Sequence, residues 1–164
     1  MTYVDHAPDR PHGGYGALVV FLALTLGVGA LGGFATAGSV NGWYATLNRP
    51  DIAPPNWVFG PVWTTLYVLI GIAGWRVWRI TGTRSRPMVL FAIQLALNCA
   101  WSFIFFGAHE IGAALVEILV LLVFIFWTAI AFGWRDRIAA WLFAPYLAWV
   151  CFASVLNAAF WQIN

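Results

Sequence analysis

Five apolar stretches of about 20 residues each, parted by short polar breaks, decide what this chain can become. They cover residues 17–38, 57–79, 87–107, 111–133 and 138–161. At a rise of about 1.5 Å per residue each can cross the hydrocarbon of a bilayer as a helix. A backbone in hydrocarbon must satisfy its own polar groups, by helix or by closed barrel, and no alternating strand pattern offers a barrel. The expectation is an all-α membrane protein: a five-transmembrane-helix bundle. Composition agrees, with 9% charged residues against about 25% in soluble domains. Residues 1–16 read as a polar tail, and residues 17–164 as one domain without internal repeats. Short connections suggest that consecutive helices are antiparallel neighbours.

Orientation follows from arginine, since the chain has no lysine. Arg10, Arg76, Arg79, Arg84, Arg86, Arg135 and Arg137 fall on one side, and only Arg49 on the other. The positive-inside rule makes the N-terminus cytoplasmic. With no organellar targeting sequence, a bacterial inner membrane is the default location. Trp75, Trp78, Trp134 and Trp141 border the arginine-rich side as an interfacial belt would. A net charge of +2, without a basic run interleaved by aromatics, gives no nucleic-acid partner. The lipid bilayer is the partner that composition requires.

Residues 43–67 hold four of the eight prolines and three of the eleven tryptophans. Pro50, Pro54, Pro55 and Pro61 restrict φ and remove donors, so residues 43–55 are expected to be non-helical. Large rings gain little from water, which makes this first loop an ordered Pro/Trp-rich lid over the helix ends.

Beneath it, Gln94, Asn98, Trp101, Ser102 and Phe105 share one helical stripe. A carboxamide in hydrocarbon needs a partner, so that stripe faces the bundle interior. Asn98 reads equally as interhelical glue or as a ligand contact. Tyr146, Trp149, Ala153 and Asn157 make a second stripe, where Pro145 should loosen the helix. Trp63 and Tyr67 make a third, followed by Gly71 and Gly74, where a neighbouring helix can come close. Gly29, Gly33 and Ala37 form a small-residue face for close packing, within the bundle or against a second protomer. Aromatic planes with a few polar tips suit a flat, largely apolar ligand.

Glu117 lies about 10 Å inside the fourth segment, where a carboxylate is a functional candidate. Cys99 and Cys151 read as apolar filler. His6, His12 and His109 have no metal spacing, so no metal site is expected. No nucleophile elbow, phosphate loop or close carboxylate pair occurs.

The run Trp43-Tyr44-x-x-Leu47-x-Arg49-Pro50, then Pro54-Pro55-x-x-x-Phe59-x-Pro61-Val62-Trp63-x-x-Leu66-Tyr67, resembles the first loop and second helix of the TspO/MBR family. That is the family of translocator proteins and tryptophan-rich sensory proteins. Gln94, Asn98, Trp101, Ser102, Phe105, Phe106 and Gly107 resemble its third helix. Pro145-Tyr146-x-x-Trp149 and Leu156-Asn157 resemble its fifth, so the likeness spans nearly the whole chain. It implies a homodimeric five-helix bundle whose pocket, roofed by the first loop, takes a tetrapyrrole such as protoporphyrin IX. The matching ligand-binding positions are Trp43, Tyr44, Trp63, Asn98, Trp101, Tyr146 and Trp149.

Benzodiazepine- or isoquinoline-type drugs, bound by animal members, are further partners the resemblance implies. Two departures stand out. Arg49 replaces the usual lysine, and Asp51-Ile52 replaces a stretch that usually holds tryptophan. The end of the fifth segment lacks the Tyr and basic residue of the sterol motif, so sterol binding is not carried over.

The leading expectation is a membrane tetrapyrrole-binding protein with a regulatory, sensory or transport role and no required cofactor. The alternative is an enzyme degrading protoporphyrin IX in light and oxygen, with Trp63 and Trp149 as catalytic indoles. A pore or ion-coupled transporter rests on Glu117 alone.

Overall fold

The computed structural model describes residues 14–164; residues 1–13 of the expected polar tail lie outside it. The elements are α1 (Tyr15–Val40), α2 (Trp43–Thr46), α3 (Asn56–Thr81), α4 (Arg86–Ser102), α5 (Ile111–Gly133) and α6 (Arg137–Ile163). A π-helical turn, Phe103–Gly107, extends α4. Five of these helices, α4 with its π turn counted as one, are long and apolar enough to span a membrane. There is no strand among the described residues. The spans run one or two residues beyond the expected ends of α1, α3 and α6, and α1 takes in Tyr15 and Gly16. Helical backbone continues past the apolar run because carbonyls and amides near the interface still satisfy one another.

The helices close a ring in the order α1, α3, α6, α5, α4. Consecutive α4–α5 and α5–α6 are neighbours as expected, and the expectation fails only for α3 and α4, which share a short connection but touch only lightly. Each finds better packing elsewhere, α3 against α1 and α6, α4 against α5. Glycines permit the tightest approach. A Cβ on Gly71 would stand 2.8 Å from Thr25 Oγ1, and one on Gly74 would stand 2.6 Å from the Phe91 ring.

One core fills the arginine-rich half, built on Ile70, Val77, Phe91, Phe132, Phe143 and Val150. A smaller one at the opposite end gathers Phe105, Ala114, Leu156 and Phe160 under the lid. Helix α1 packs closely on α3 but buries few residues, Thr25, Gly32 and Ser39, spaced by two turns.

At the arginine-rich end, Arg76 Nε donates to Asp136 Oδ2 at 2.7 Å. Asp136 Oδ1 accepts from the amides of Ile138 and Ala139, capping α6. Trp134 and Trp141 are exposed there, whereas Trp78 packs on Phe21 and Trp75 carries the Arg79 guanidinium 4.8 Å above its ring. Helix α6 runs unbroken through Pro145, so the loosening expected there does not appear as a break. Cys151 faces outward, exposed, and is not interior filler.

The lid is partly helical. Residues 43–46 form one turn, α2, correcting the non-helical reading of the segment. The prolines begin only at Pro50, after that turn has closed. Beyond it Asn48 is tied to the end of α6: its amide donates to Asn164 Oδ1 at 2.8 Å, and Asn164 Nδ2 donates to its carbonyl at 3.1 Å. The Arg49 guanidinium donates to the Pro54 carbonyl, staking the loop across its width.

Candidate functional site: an aromatic cavity beneath the lid

Helices α1, α3, α4 and α6 part towards the lid and enclose a cavity of about 540 Å³. Helix α5 contributes nothing to its wall. From α1 come Leu26, Ala30, Gly33 and Ala37, one edge of that helix at successive turns. Gly33 and Ala37 line the cavity, and a Cβ on Gly33 would meet nothing within 4 Å, so within this chain that glycine is not a packing contact. Gly29 meets Tyr67 instead, its virtual Cβ 2.5 Å from the ring. Helix α3 supplies Phe59, Gly60, Trp63 and Tyr67; α6 supplies Trp149, Ala153 and Asn157. Asn98, Trp101 and Ser102 of α4 and Phe105 of the π turn close the far side, and Tyr44 of α2 roofs it.

The aromatic wall is held by ring-on-ring contacts. Trp63 stacks on Tyr67 at 5.6 Å between centroids, and Trp101 stacks on Phe105 at 5.2 Å. Phe59 meets Trp149 edge-on at 5.8 Å. Tyr44 packs on Phe106 and Phe160, both at 5.5 Å. Trp149 lines the cavity, and its indole N–H is buried with no acceptor among the described residues.

Polar atoms below the rings are mutually satisfied. Tyr67 donates its hydroxyl to Asn98 Oδ1, and Asn98 Nδ2 donates to the Tyr146 hydroxyl at 3.0 Å. Tyr146 donates in turn to Gln94 Oε1 at 3.0 Å. This chain joins α3, α4 and α6 through the middle of the bundle. A second link runs from Trp101 Nε1 to Asn157 Oδ1 at 3.1 Å, and from Asn157 Nδ2 to the Ile111 carbonyl at 2.9 Å. Asn98 is thus interhelical glue that also shows a face to the cavity.

Of the seven positions singled out as ligand contacts, Tyr44, Trp63, Asn98, Trp101 and Trp149 line the cavity. Tyr146 and Trp43 do not. Tyr146 is fully buried behind Trp63, which meets it edge-on at 6.3 Å. Trp43 is stacked on His109 at 4.3 Å and meets Phe105 edge-on at 5.8 Å, packed behind that wall residue and not on the cavity. His109 holds a left-handed backbone, φ 61°, and places Nε2 3.3 Å from Ser39 Oγ. Nothing in its sequence surroundings singled it out.

Phe59 and the small edge of α1 also escaped notice as wall residues, whereas Ser102 and Phe105 stand on the cavity as their inward stripe suggested. The alternating four- and three-residue spacing of Leu26, Ala30, Gly33 and Ala37 was the available signal. Glu117 lies off the cavity, its oxygens buried without hydrogen-bond partners among the described residues. No three His, Cys, Asp or Glu side chains converge as metal ligands among the described residues.

No wall residue bears a formal charge. At the roof, burial pushes the Tyr44 hydroxyl up from its ordinary pKa, and the Arg49 charge offsets part of that rise. The site can therefore take a flat, mostly apolar molecule between indole and phenol planes, with few directional polar contacts.

Fold and cavity define a multi-pass integral membrane protein with an aromatic chamber under a proline-rich lid. The chain belongs to the TspO/MBR family, whose pattern matches residues 21–162. It is 42% identical over 149 residues to the tryptophan-rich protein TspO of Archaeoglobus fulgidus, covering 90% of this chain and 96% of that one. The human translocator protein is 41% identical over 143 residues, 82% of this chain and 85% of its own. The tryptophan-rich sensory protein of Cereibacter sphaeroides is 38% identical over 138 residues, 82% and 87% of the two chains.

Proposed function

We propose that this protein binds a tetrapyrrole such as protoporphyrin IX within the membrane, in a regulatory, sensory or transport role. The observation that carries the reading is the cavity of about 540 Å³ walled by Trp63, Trp101, Trp149 and Tyr44. Its volume lies in the range of sites for ligands of several rings, and its planes suit a flat macrocycle. Relatives named as translocator and sensory proteins are consistent with carrying or reporting such a ligand. The same cavity is open to benzodiazepine- or isoquinoline-type drugs. Arginine counting favours a cytoplasmic N-terminus in a bacterial inner membrane, and the resemblance favours a homodimer.

The test is titration of the detergent-purified protein with protoporphyrin IX in the dark, followed by tryptophan quenching and Soret absorbance. Saturable binding at about one ligand per chain is expected. A linear, unsaturable response equal to that of empty micelles overturns the reading.

A second reading, light- and oxygen-dependent degradation of the same ligand, is favoured by one observation: Trp63 and Trp149 both stand on the cavity wall. An indole within contact of a photoexcited porphyrin is a ready electron donor. Under this reading Trp63→Phe with Trp149→Phe keeps affinity within a few fold, because ring area is largely retained, while bleaching slows. Bleaching at the wild-type rate in the double variant sinks it.

A further inference from the structure

A protoporphyrin is a dicarboxylic acid, yet the cavity wall bears no charge. Taking an ionised carboxylate into such a wall without a partner is strongly unfavourable. Its acid edge must remain where a cation and water reach it. The chain has no lysine, and among the described residues every arginine except Arg49 lies at the far end of the bundle, near the 82–85 and 134–136 connections. Arg49 is the exception, exposed in the lid loop at the cavity end of the bundle, though not itself on the cavity wall.

Two hydrogen-bonded anchors hold it there, and its effect on Tyr44 shows that it lies near the roof. Its guanidinium reaches across the loop to the Pro54 carbonyl, two residues before Asn56, which lines the cavity. The preceding residue, Asn48, is bonded to Asn164 and to the Ile163 carbonyl at the end of α6. Its charge acts on Tyr44, which roofs the cavity. A guanidinium has five N–H donors, and the Pro54 bond leaves donors over. The only ion pair among the described residues is Arg76–Asp136, so Arg49 is not taken by Asp51 or Glu110, the acids of the lid end. The other basic side chain there, His109, is engaged with Trp43 and Ser39.

We infer that Arg49 is the specificity-determining residue of the site: it selects ligands that carry a carboxylate, holding the acid edge at the mouth while the apolar edge lies between Trp63, Trp101 and Trp149. The inference rests on the tetrapyrrole reading above and adds to it an orientation and a chemical preference. A guanidinium fork matches a carboxylate in geometry as well as charge.

The experiment compares protoporphyrin IX with its dimethyl ester on the full-length protein in zwitterionic nanodiscs, in the dark. The wild type is expected to bind the acid more tightly than the ester, with the gap narrowing as salt rises. Arg49→Gln keeps a donor for the Pro54 carbonyl but removes the charge. It is expected to weaken the acid about fivefold, as a partly exposed pair would, and to leave the ester unchanged. Arg49→Lys should recover most of the loss.

Equal weakening of acid and ester in Arg49→Gln overturns the inference and makes Arg49 a lid strut. So does an acid affinity that does not change. If wild type binds neither compound saturably, the tetrapyrrole reading itself falls and this inference with it. That outcome is seen in the wild type alone, so it cannot be confused with the other two.

Discussion

Asn98 spends both ends of its carboxamide inside the protein, accepting from Tyr67 and donating to Tyr146. Its removal would leave two phenols on separate helices short of a partner. Asn98→Ala is expected to lower stability by about 1 kcal/mol, the usual scale for an interhelical hydrogen bond in a membrane protein. A lowered thermal midpoint in the same detergent would show it; an unchanged midpoint would mean that water replaces the side chain. Asp136 acts at the other end, as the cap of α6 and the partner of Arg76. Burial works against its charge, but the Arg76 hydrogen bond, the two amides and the Arg76 charge together hold its carboxyl below the ordinary value of 3.8. A carboxyl depressed by folding stabilises fully above its unfolded value and loses that contribution as pH falls through its folded one. Asp136→Ala should therefore cost about 1 kcal/mol at pH 7. The gap between wild type and variant should close below about pH 4, which melting curves from pH 7 to pH 3 would read. A gap that widens on acidification contradicts the assignment.

The helices differ in what they ask of their glycines. Gly71 lets α1 approach α3: its virtual Cβ would stand 2.8 Å from Thr25 Oγ1 and 3.3 Å from the Phe21 carbonyl oxygen. A backbone atom cannot rotate away, so Gly71→Ala is expected to prise α1 outward and destabilise by about 1–3 kcal/mol. Gly27, with nothing within 4 Å of its virtual Cβ, is the control, and Gly27→Ala should leave the midpoint unchanged or slightly raised. Equal effects at the two sites would mean that α1 is free to shift. The contrast also marks what was legible beforehand. Five spans follow from hydropathy because only helices satisfy a backbone in hydrocarbon, and the Gln94–Asn98–Trp101 stripe follows from helical period. The role of each small residue does not, since Gly29 packs and Gly33 opens onto space according to how two axes diverge. The π turn at Phe103–Gly107 and the one-turn α2 were likewise hidden. The two elements meet in the fold, Tyr44 against Phe105, a tertiary contact that hydropathy and period do not encode. Tyr146, on the same stripe as Trp149, lies deeper because Trp63 covers it.

Across the whole molecule the chamber is closed by a lid anchored at separate points. Trp43 is stacked on His109 of the α4–α5 connection, Asn48 is bonded to the end of α6, and the Pro54 carbonyl is bonded by Arg49. The first two anchors join the roof to two different parts of the ring and the third braces the loop itself, so the roof can open only by breaking contacts at both ends. Pro54 and Pro55 reduce the conformations available to an opened loop, which favours the closed one. Replacing both by alanine enlarges the open ensemble without removing any cavity wall residue. Porphyrin affinity should fall several-fold through lost preorganisation, with most of the change in a faster dissociation rate. Asn48→Ala removes the side-chain bond to the Ile163 carbonyl but leaves the backbone bonds to Asn164, so a smaller shift in the same direction is expected. Stopped-flow quenching on association and on displacement would separate the rates. If dissociation is equally fast in wild type and in the double proline variant, the lid does not gate the chamber. The ligand would then leave between the helices, where α1 buries only three residues.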